Sequence, residues 1–217
     1  MICTSSYKNW PTDMYVTYSI SGDRGRGSNY NGRCYSKLAP KFSFWKKWHD
    51  NIGKVSEEEN NKYYVQEYWK EVLSKLDPEK VYDDLDNSIL LCYEDENEFC
   101  HRHIVAAWFE ILLGVGVSEK KIVDGSLEEV ERPLYIKDYL EDAMRSSQNM
   151  RGFNSLRALY LFEKSEALEE LANEMETKSD KCYDGYRQAA CFLRCDADEA
   201  EAEYNNRKTN KQVMKKI

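Results

Sequence analysis

The sequence predicts an α/β sheet domain followed by an all-helical C-terminal region. Three observations lead there. Two short runs rich in apolar, β-branched and aromatic residues, 14–20 and 88–93, end in turn residues and read as strands. Helix signals fall between and after them. Beyond Asp124-Gly125 the chain becomes acidic, with helical spacing and few strand signals. Strands alternating with helices make a sheet with parallel neighbours, whereas a purely helical run packs on itself. The expected division is residues 1–125 for the α/β domain and 126–217 for the helical extension.

The elements follow in order. Residues 14–20 (MYVTYSI) stop at Ser21-Gly22, and the loop that follows, Gly22 to Ser28, is rich in glycine and arginine. Phe42, Phe44, Trp45 and Trp48 form an aromatic cluster at near-helical spacing, which points to core packing. Ser56-Glu57-Glu58-Glu59 has the form of a capping box, so a helix begins there with Tyr64, Val65, Tyr68, Trp69, Val72, Leu73 and Leu76 on one face. Asp77-Pro78 repeats the start signal for a short helix to about Leu85. Ser88 to Tyr93 is a continuous apolar run, the form of a parallel strand buried on both faces. A polar loop, Glu94 to Glu98, precedes an amphipathic helix from about Phe99 to Gly114 or Gly116. Two long helices are expected at 155–175 and 183–204, with a frayed basic tail at 207–216.

Composition narrows the class. The 217 residues are 41% hydrophobic, 13% aromatic and 32% charged, a globular composition with a strongly hydrated surface. No run approaches the roughly 18 apolar residues of a membrane span, and polar residues follow Met1-Ile2-Cys3-Thr4 where a leader would be apolar. A soluble, cytoplasmic protein without membrane contact is expected. Seven cysteines, an odd number without scaffold spacing, are expected to be reduced thiols. The net charge of −8 is uneven: residues 1–54 carry nine Lys and Arg against three Asp, a surplus of six, which leaves fourteen negative charges on the remainder. A basic N-terminal segment on an acidic protein can attract anions locally.

The segment after the 88–93 strand carries the most chemistry. Ligands of open parallel sheets bind beyond the carboxyl ends of strands. Here Cys92, Glu94, Cys100, His101 and Arg102 bring two thiols, a carboxylate, an imidazole and a guanidinium within eleven residues. Three readings compete. Cys100, at a helix start beside His101 and Arg102, is a candidate nucleophile with a favoured thiolate, and is expected to be the most reactive of the thiols. Alternatively the helix N–H groups and Arg102 hold a phosphate-type anion, with Glu94 as general base or ribose partner and Arg24, Arg26 and Arg33 guiding it in. Or Cys92, Cys100 and His101 or His103 hold zinc, which the spacing argues against because there is no C-x-x-C pair. The plain alternative is packing: buried small thiols, a satisfied histidine and a surface ion pair. No metal is therefore assigned and no cofactor is named.

Other signals are weaker. Gly25-x-Gly27 lacks the following helix of a dinucleotide fingerprint. Cys182, Cys191 and Cys195 suit helix packing better than a metal site. Tyr30 and Tyr35, among Arg24, Arg26 and Arg33, can be read as base-stacking groups beside a phosphate backbone.

Several blocks together resemble a known family: Leu38-Ala39-Pro40, Leu76-Asp77-Pro78-Glu79, Leu90-Leu91-Cys92-Tyr93-Glu94, and Phe99-Cys100-His101-Arg102-His103-Ile104-Val105-Ala106. They resemble family 488 of the domains of unknown function, small α/β proteins of bacteria and their phages, over about residues 1–116. The resemblance implies a compact Rossmann-like domain, its site at the cysteine–histidine–arginine segment, and a link to nucleic-acid metabolism. The functional expectation is a nucleotide- or nucleic-acid-directed protein binding a phosphate-type anion, with Cys100, Glu94 and His101 available for chemistry. The alternative is an interaction or inhibitor protein whose acidic helical half docks a basic, nucleic-acid-binding partner.

Overall fold

The computed structural model describes residues 1–9, 15–147, 150, 154–177 and 183–214. The chain forms two compact units, Met1–Ser147 and Gln148–Ile217. The first is an α/β unit of Rossmann-like character and the second is helical. The first unit runs past the expected division at residue 125 and takes in a strand, Ser126–Val130, and a helix, Tyr135–Ser147, from the stretch expected to be the extension.

The sheet contains β1 (Cys3–Ser6), β2 (Val16–Ser19), β3 (Arg33–Cys34), β4 (Ser88–Cys92), β5 (Ser118–Val123) and β6 (Ser126–Val130), in the order β3-β2-β4-β1-β5-β6. All pairings are parallel except β5 with β6. β4 lies between β1 and β2, with Leu90 opposite both Thr4 and Tyr18, and every one of its residues is buried. That is why its sequence is continuously apolar rather than alternating. Ile89 and Leu91 pack with Tyr7 and Tyr30 on one face. Of the expected 14–20 strand, residues 16–19 pair; Met14 lies outside the described residues.

Three helices cross from β3 to β4: α1 (Phe42–Asp50), α2 (Glu57–Glu71) and α3 (Pro78–Asp84). The caps are those the sequence announces. Ser56 Oγ accepts from the Glu59 N–H at 3.2 Å, and Asp77 Oδ1 accepts from the Glu79 and Lys80 N–H groups ahead of Pro78 at the first turn. On α2, Tyr64, Val65, Tyr68 and Trp69 are buried as the stripe requires. α4 (His101–Leu112) follows β4, and eleven of its twelve residues are buried. Gly114, at φ +70°, takes the left-handed turn after it.

β5 and β6 form an antiparallel hairpin, where the sequence predicts the start of the helical region. Asp124 and Gly125 sit at φ +49° and +82°, the conformation of a tight two-residue turn that Asp-Gly favours. The charged strands Ser-Glu-Lys-Lys-Ile-Val and Ser-Leu-Glu-Glu-Val have weak β propensity, and the turn chemistry, with β6 at the edge of the sheet, outweighs it. α5 (Tyr135–Ser147) closes the unit against α2 and α4.

The second unit pairs α6 (Leu156–Thr177) with α7 (Tyr183–Met214) around Ala158, Leu161, Ala197 and Ala200. Small residues at the seam let the two backbones approach. Part of the acidic surface is used internally: Glu169 pairs with Arg194, Glu176 with Arg187, and Glu201 accepts from the Asn154 and Ser155 N–H groups. α7 continues through the basic segment expected to fray, as far as Met214. Cys182 lies outside the described residues. Among the described residues, no helix is long and apolar enough to cross a membrane.

Candidate active site

Beyond the carboxyl ends of β2 and β4 lies a cavity of about 710 Å³. Its walls come from the loop after β2 (Ser21, Gly22, Asp23, Gly27), from α1 (Phe42, Trp45, Trp48) and from Tyr64 of α2. The end of β4 adds Cys92, Tyr93 and Glu94, and the start of α4 adds Phe99, Cys100 and His101.

Cys100 is the N-cap of α4: its backbone is extended and its carbonyl accepts from the His103 N–H, while its side chain caps nothing. The thiol is therefore free to meet other groups, and the helix terminus favours negative charge there. His101 Nδ1 lies 4.0 Å from Cys100 Sγ and 3.5 Å from Cys92 Sγ. His101 Nε2 is 3.0 Å from the Ile20 carbonyl, which fixes that nitrogen as the N–H donor. Nδ1 is left to accept a proton from a thiol. Cys92 Sγ donates to Glu94 Oε2 at 3.3 Å.

These four groups set one another's charge. Burial alone would raise Cys100, but a hydrogen bond from Cys92, the Arg102 charge and His101 together bring its pKa well below the ordinary thiol value. Cys92 moves the opposite way, raised well above it by burial and by the neighbouring Cys100. Burial opposes a charged His101, yet the Cys100 thiolate, Glu94 and the Ile20 carbonyl raise its pKa. Burial and the Cys100 thiolate push Glu94 up to about 7. The surroundings thus favour the anion at Cys100, the neutral thiol at Cys92 and the charged form of His101, beside a Glu94 carboxyl group raised to about 7.

Arg102 is placed differently from the anion-binding role expected of it. It is fully buried and does not line the cavity. Nε and Nη2 hold Glu119 at 3.1 and 3.0 Å, while Nη1 and Nη2 donate to the Glu94 and Asp95 carbonyls at 2.8 and 2.9 Å. Thr4 donates to the same Glu119 at 2.6 Å, and His103 Nε2 lies 3.4 Å from it. Arg102 therefore anchors the loop that carries Glu94 and contributes positive potential behind Cys100. Arg24, Arg26 and Arg33 are exposed and do not line the cavity; Arg33 lies over the Tyr18 ring. Tyr30 is buried with its hydroxyl on Thr17, and the Tyr35 hydroxyl donates to Asp84, so neither is presented for stacking.

The glycine-rich loop wraps a carboxylate of its own. Asp23 accepts from the Gly25 and Gly27 N–H groups, from Ser21 and from the Tyr93 hydroxyl. Although burial works against it, these donors lower its pKa to about 2. Asp23, Tyr93, Tyr64 and the α1 aromatics have no site role in the sequence analysis, and Cys92 has there a place in the chemical cluster but no catalytic role. Two signals were available: a carboxylate set between glycines, and more aromatics on a nine-residue helix than one buried face can hold. Phe44 alone of these is in the core, while Phe42 is 70% and Trp45 38% exposed.

The donor atoms of Cys92, Cys100 and His101 lie within 4.8 Å of one another, and Glu94 adjoins Cys92. Two sulfurs and a nitrogen so placed supply three of the four ligands of a tetrahedral zinc-like ion.

Fold and site together define an α/β protein with a cysteine–histidine–glutamate centre at the strand ends. Residues 8–111 match the family model DUF488-N3a, described as the active DUF488-N3 subclade, and the α/β unit of this chain belongs to the DUF488 family. The match covers the loop after β2, α1 and the whole cysteine–histidine–arginine segment. No curated protein and no solved structure matches the chain.

Proposed function

We propose that the protein is a thiol-dependent enzyme acting on a nucleotide or a nucleic-acid-derived substrate, with Cys100 as nucleophile and Glu94 as general acid and base. The observation that carries this reading is the convergence of Cys100, His101, Cys92 and Glu94 on one cavity, where the surroundings lower the pKa of Cys100 and raise that of Cys92. The word "active" in the family description agrees with it.

The step this arrangement serves is displacement at an electrophilic carbon. Cys100 Sγ forms a C–S bond, the bond to the leaving group breaks, and that group takes the proton of Glu94. Water then attacks the same carbon, giving its proton to the Glu94 carboxylate and returning the sulfur as thiolate. A carboxyl group with a pKa of about 7 serves both half-reactions at neutral pH. His101 remains the counter-ion. The cytoplasm, with its reduced thiols, suits such a nucleophile.

The test is iodoacetamide labelling of the native protein at pH 6 with peptide mapping. Cys100 is expected to label first, ahead of the exposed Cys34, and Cys100→Ser to remove that label. Labelling of Cys34 or Cys195 with Cys100 inert in the metal-free protein refutes the nucleophile. A second reading rests on the donor cluster within 4.8 Å: a bound zinc-like ion in place of a free thiolate. Stoichiometric metal in the purified protein, with Cys100 protected until a chelator is added, selects it.

A further inference from the structure

We propose that the aromatic face of α1 is a subsite for a nucleobase: a flat, uncharged or protonated heteroaromatic ring carrying N–H donors, stacked over Trp45 and Phe42 with its polar edge toward the carboxylates. This deepens the reading of the site as nucleotide-directed and rests on it, but assigns recognition to the base and not to the phosphate.

The argument begins with α1. Phe42, Trp45 and Trp48 recur every three residues and all line the cavity. Phe42 and Trp45 stack at 5.9 Å and 28°, and Trp45 stacks on His49 at 5.4 Å and 27°, so the three rings form one offset stack along the helix, with Phe42 70% and Trp45 38% exposed. Trp48 is fixed beneath it: its Nε1 donates to Asn61 at 3.0 Å and its ring meets Tyr64 and Phe99. A rigid aromatic wall whose outer rings remain in water is a costly surface unless a ligand covers it.

Charge then selects the ligand. Among the described residues, the charged side chains that line the cavity beside His101 are the carboxylates of Asp23 and Glu94; no lysine or arginine does so. A phosphate would face Asp23 with only His101 to answer it, and that ring already sits between the Ile20 carbonyl and the thiols of Cys92 and Cys100. A base presents π faces to Trp45 and Phe42, and its ring and exocyclic N–H groups complement carboxylate oxygens. The volume of about 710 Å³ has room for a whole nucleoside.

The experiment is isothermal titration calorimetry of the full chain with cytosine, adenine, their nucleosides, their 5′-monophosphates and inorganic phosphate. The inference expects base and nucleoside to bind, the monophosphate no more tightly than the nucleoside, and phosphate neither to bind nor to compete. Trp45→Ala should weaken the ring by about five- to a hundredfold, the range for loss of one stacking face, and Trp45→Phe should restore most of it. A monophosphate preferred tenfold, competition by phosphate, or Trp45→Ala within twofold of wild type overturns the subsite. A short single strand that binds more tightly than the nucleoside assigns the base to a polymer; equal binding assigns it to a free nucleoside. Failure of the two proposals is separable. Cys100→Ser should bind the ring as wild type does, and Trp45→Ala should label at Cys100 as fast as wild type. Ring binding with an inert Cys100 defeats the thiol enzyme alone. Rapid labelling without ring binding defeats the subsite alone.

Discussion

Removing Arg102 should destabilise the α/β unit far more than its charge alone suggests. Arg102 and Glu119 are 0% and 1% exposed in their side chains, so the ion pair is out of water. In Arg102→Ala, Glu119 keeps the Thr4 hydroxyl and the His103 ring but loses its buried cation, and two loop carbonyls lose their donors. Breaking a buried pair from one side leaves an uncompensated charge and costs about 3–5 kcal/mol. That is a large share of the roughly 5–15 kcal/mol that holds a domain together.

All five tryptophans, at positions 10, 45, 48, 69 and 108, fall within the first unit, so urea unfolding followed by tryptophan fluorescence reports on that unit. The expected result at pH 7 is a lower midpoint with an unchanged slope. The loss should shrink toward acid. Burial opposes ionisation of Glu119, but His103 and Arg102 hold its pKa below the ordinary carboxylate value. The stability it contributes is present above that value and is lost as pH falls, in the wild type first and foremost. Arg102→Met with Glu119→Leu, which removes both charges, should recover most of the midpoint. A loss below about 1 kcal/mol in the single variant, or a double variant as damaged as the single, refutes the argument.

Glu94→Gln should be more stable than wild type at pH 8, on the order of 2 kcal/mol, and nearly equal to it at pH 5. Glu94 has a raised folded pKa of about 7, so the folded state holds its proton more tightly than the unfolded chain, and stability is lost as pH rises from about 4.5 through 7. Urea midpoints at the two pH values check this, and a wild type at least as stable as the variant at pH 8 contradicts it. Gly25→Ala should cost about 2 kcal/mol or more, because φ is +77° and a Cβ would lie 2.8 Å from Tyr30 Cβ and 2.9 Å from the Tyr7 ring. Thermal unfolding measures it, and a change under about 0.5 kcal/mol would show that the loop relaxes freely.

The parts of the fold legible in the sequence are those where local and tertiary preferences agree. Ser56 and Asp77 mark helix starts that the structure caps with those side chains, and the apolar 88–92 run lies at the centre of the sheet because nothing polar interrupts it. Misreadings occur where two signals conflict. Lys120, Lys121, Glu128 and Glu129 hide the β5–β6 hairpin around Asp124-Gly125, because charge lowers the β signal of both strands although β6, at the edge of the sheet, tolerates it. The gathering of Cys92, Glu94, Cys100 and His101 was legible from their position after a buried strand. Their division of charge was not, because it depends on the Ile20 carbonyl, eighty-one residues from His101, and on the direction in which Arg102 turns. An arginine beside a cysteine at a helix start reads as a ligand-binding group; only Glu119, seventeen residues on, shows that its guanidinium is already engaged.

That engagement also explains how a thiolate can be kept in so apolar a place. Cys100 is 2% exposed, and a lone thiolate at such a depth would be reprotonated by desolvation. His101 alone leaves the pair free to collapse to neutral thiol and imidazole by moving one proton across 4.0 Å. Arg102 remains charged whatever His101 does, its pKa raised by the Cys100 and Glu119 charges against the effect of burial. Because Glu119 holds it from behind and the Glu94 and Asp95 carbonyls hold it from the loop, the guanidinium cannot swing into the cavity to neutralise a ligand. The same residue therefore biases Cys100 toward the anion, fixes the loop bearing the acid–base carboxyl group, and leaves the cavity without a mobile cation. Those conditions agree with the proposed attack on an uncharged, ring-bearing substrate better than with the capture of phosphate.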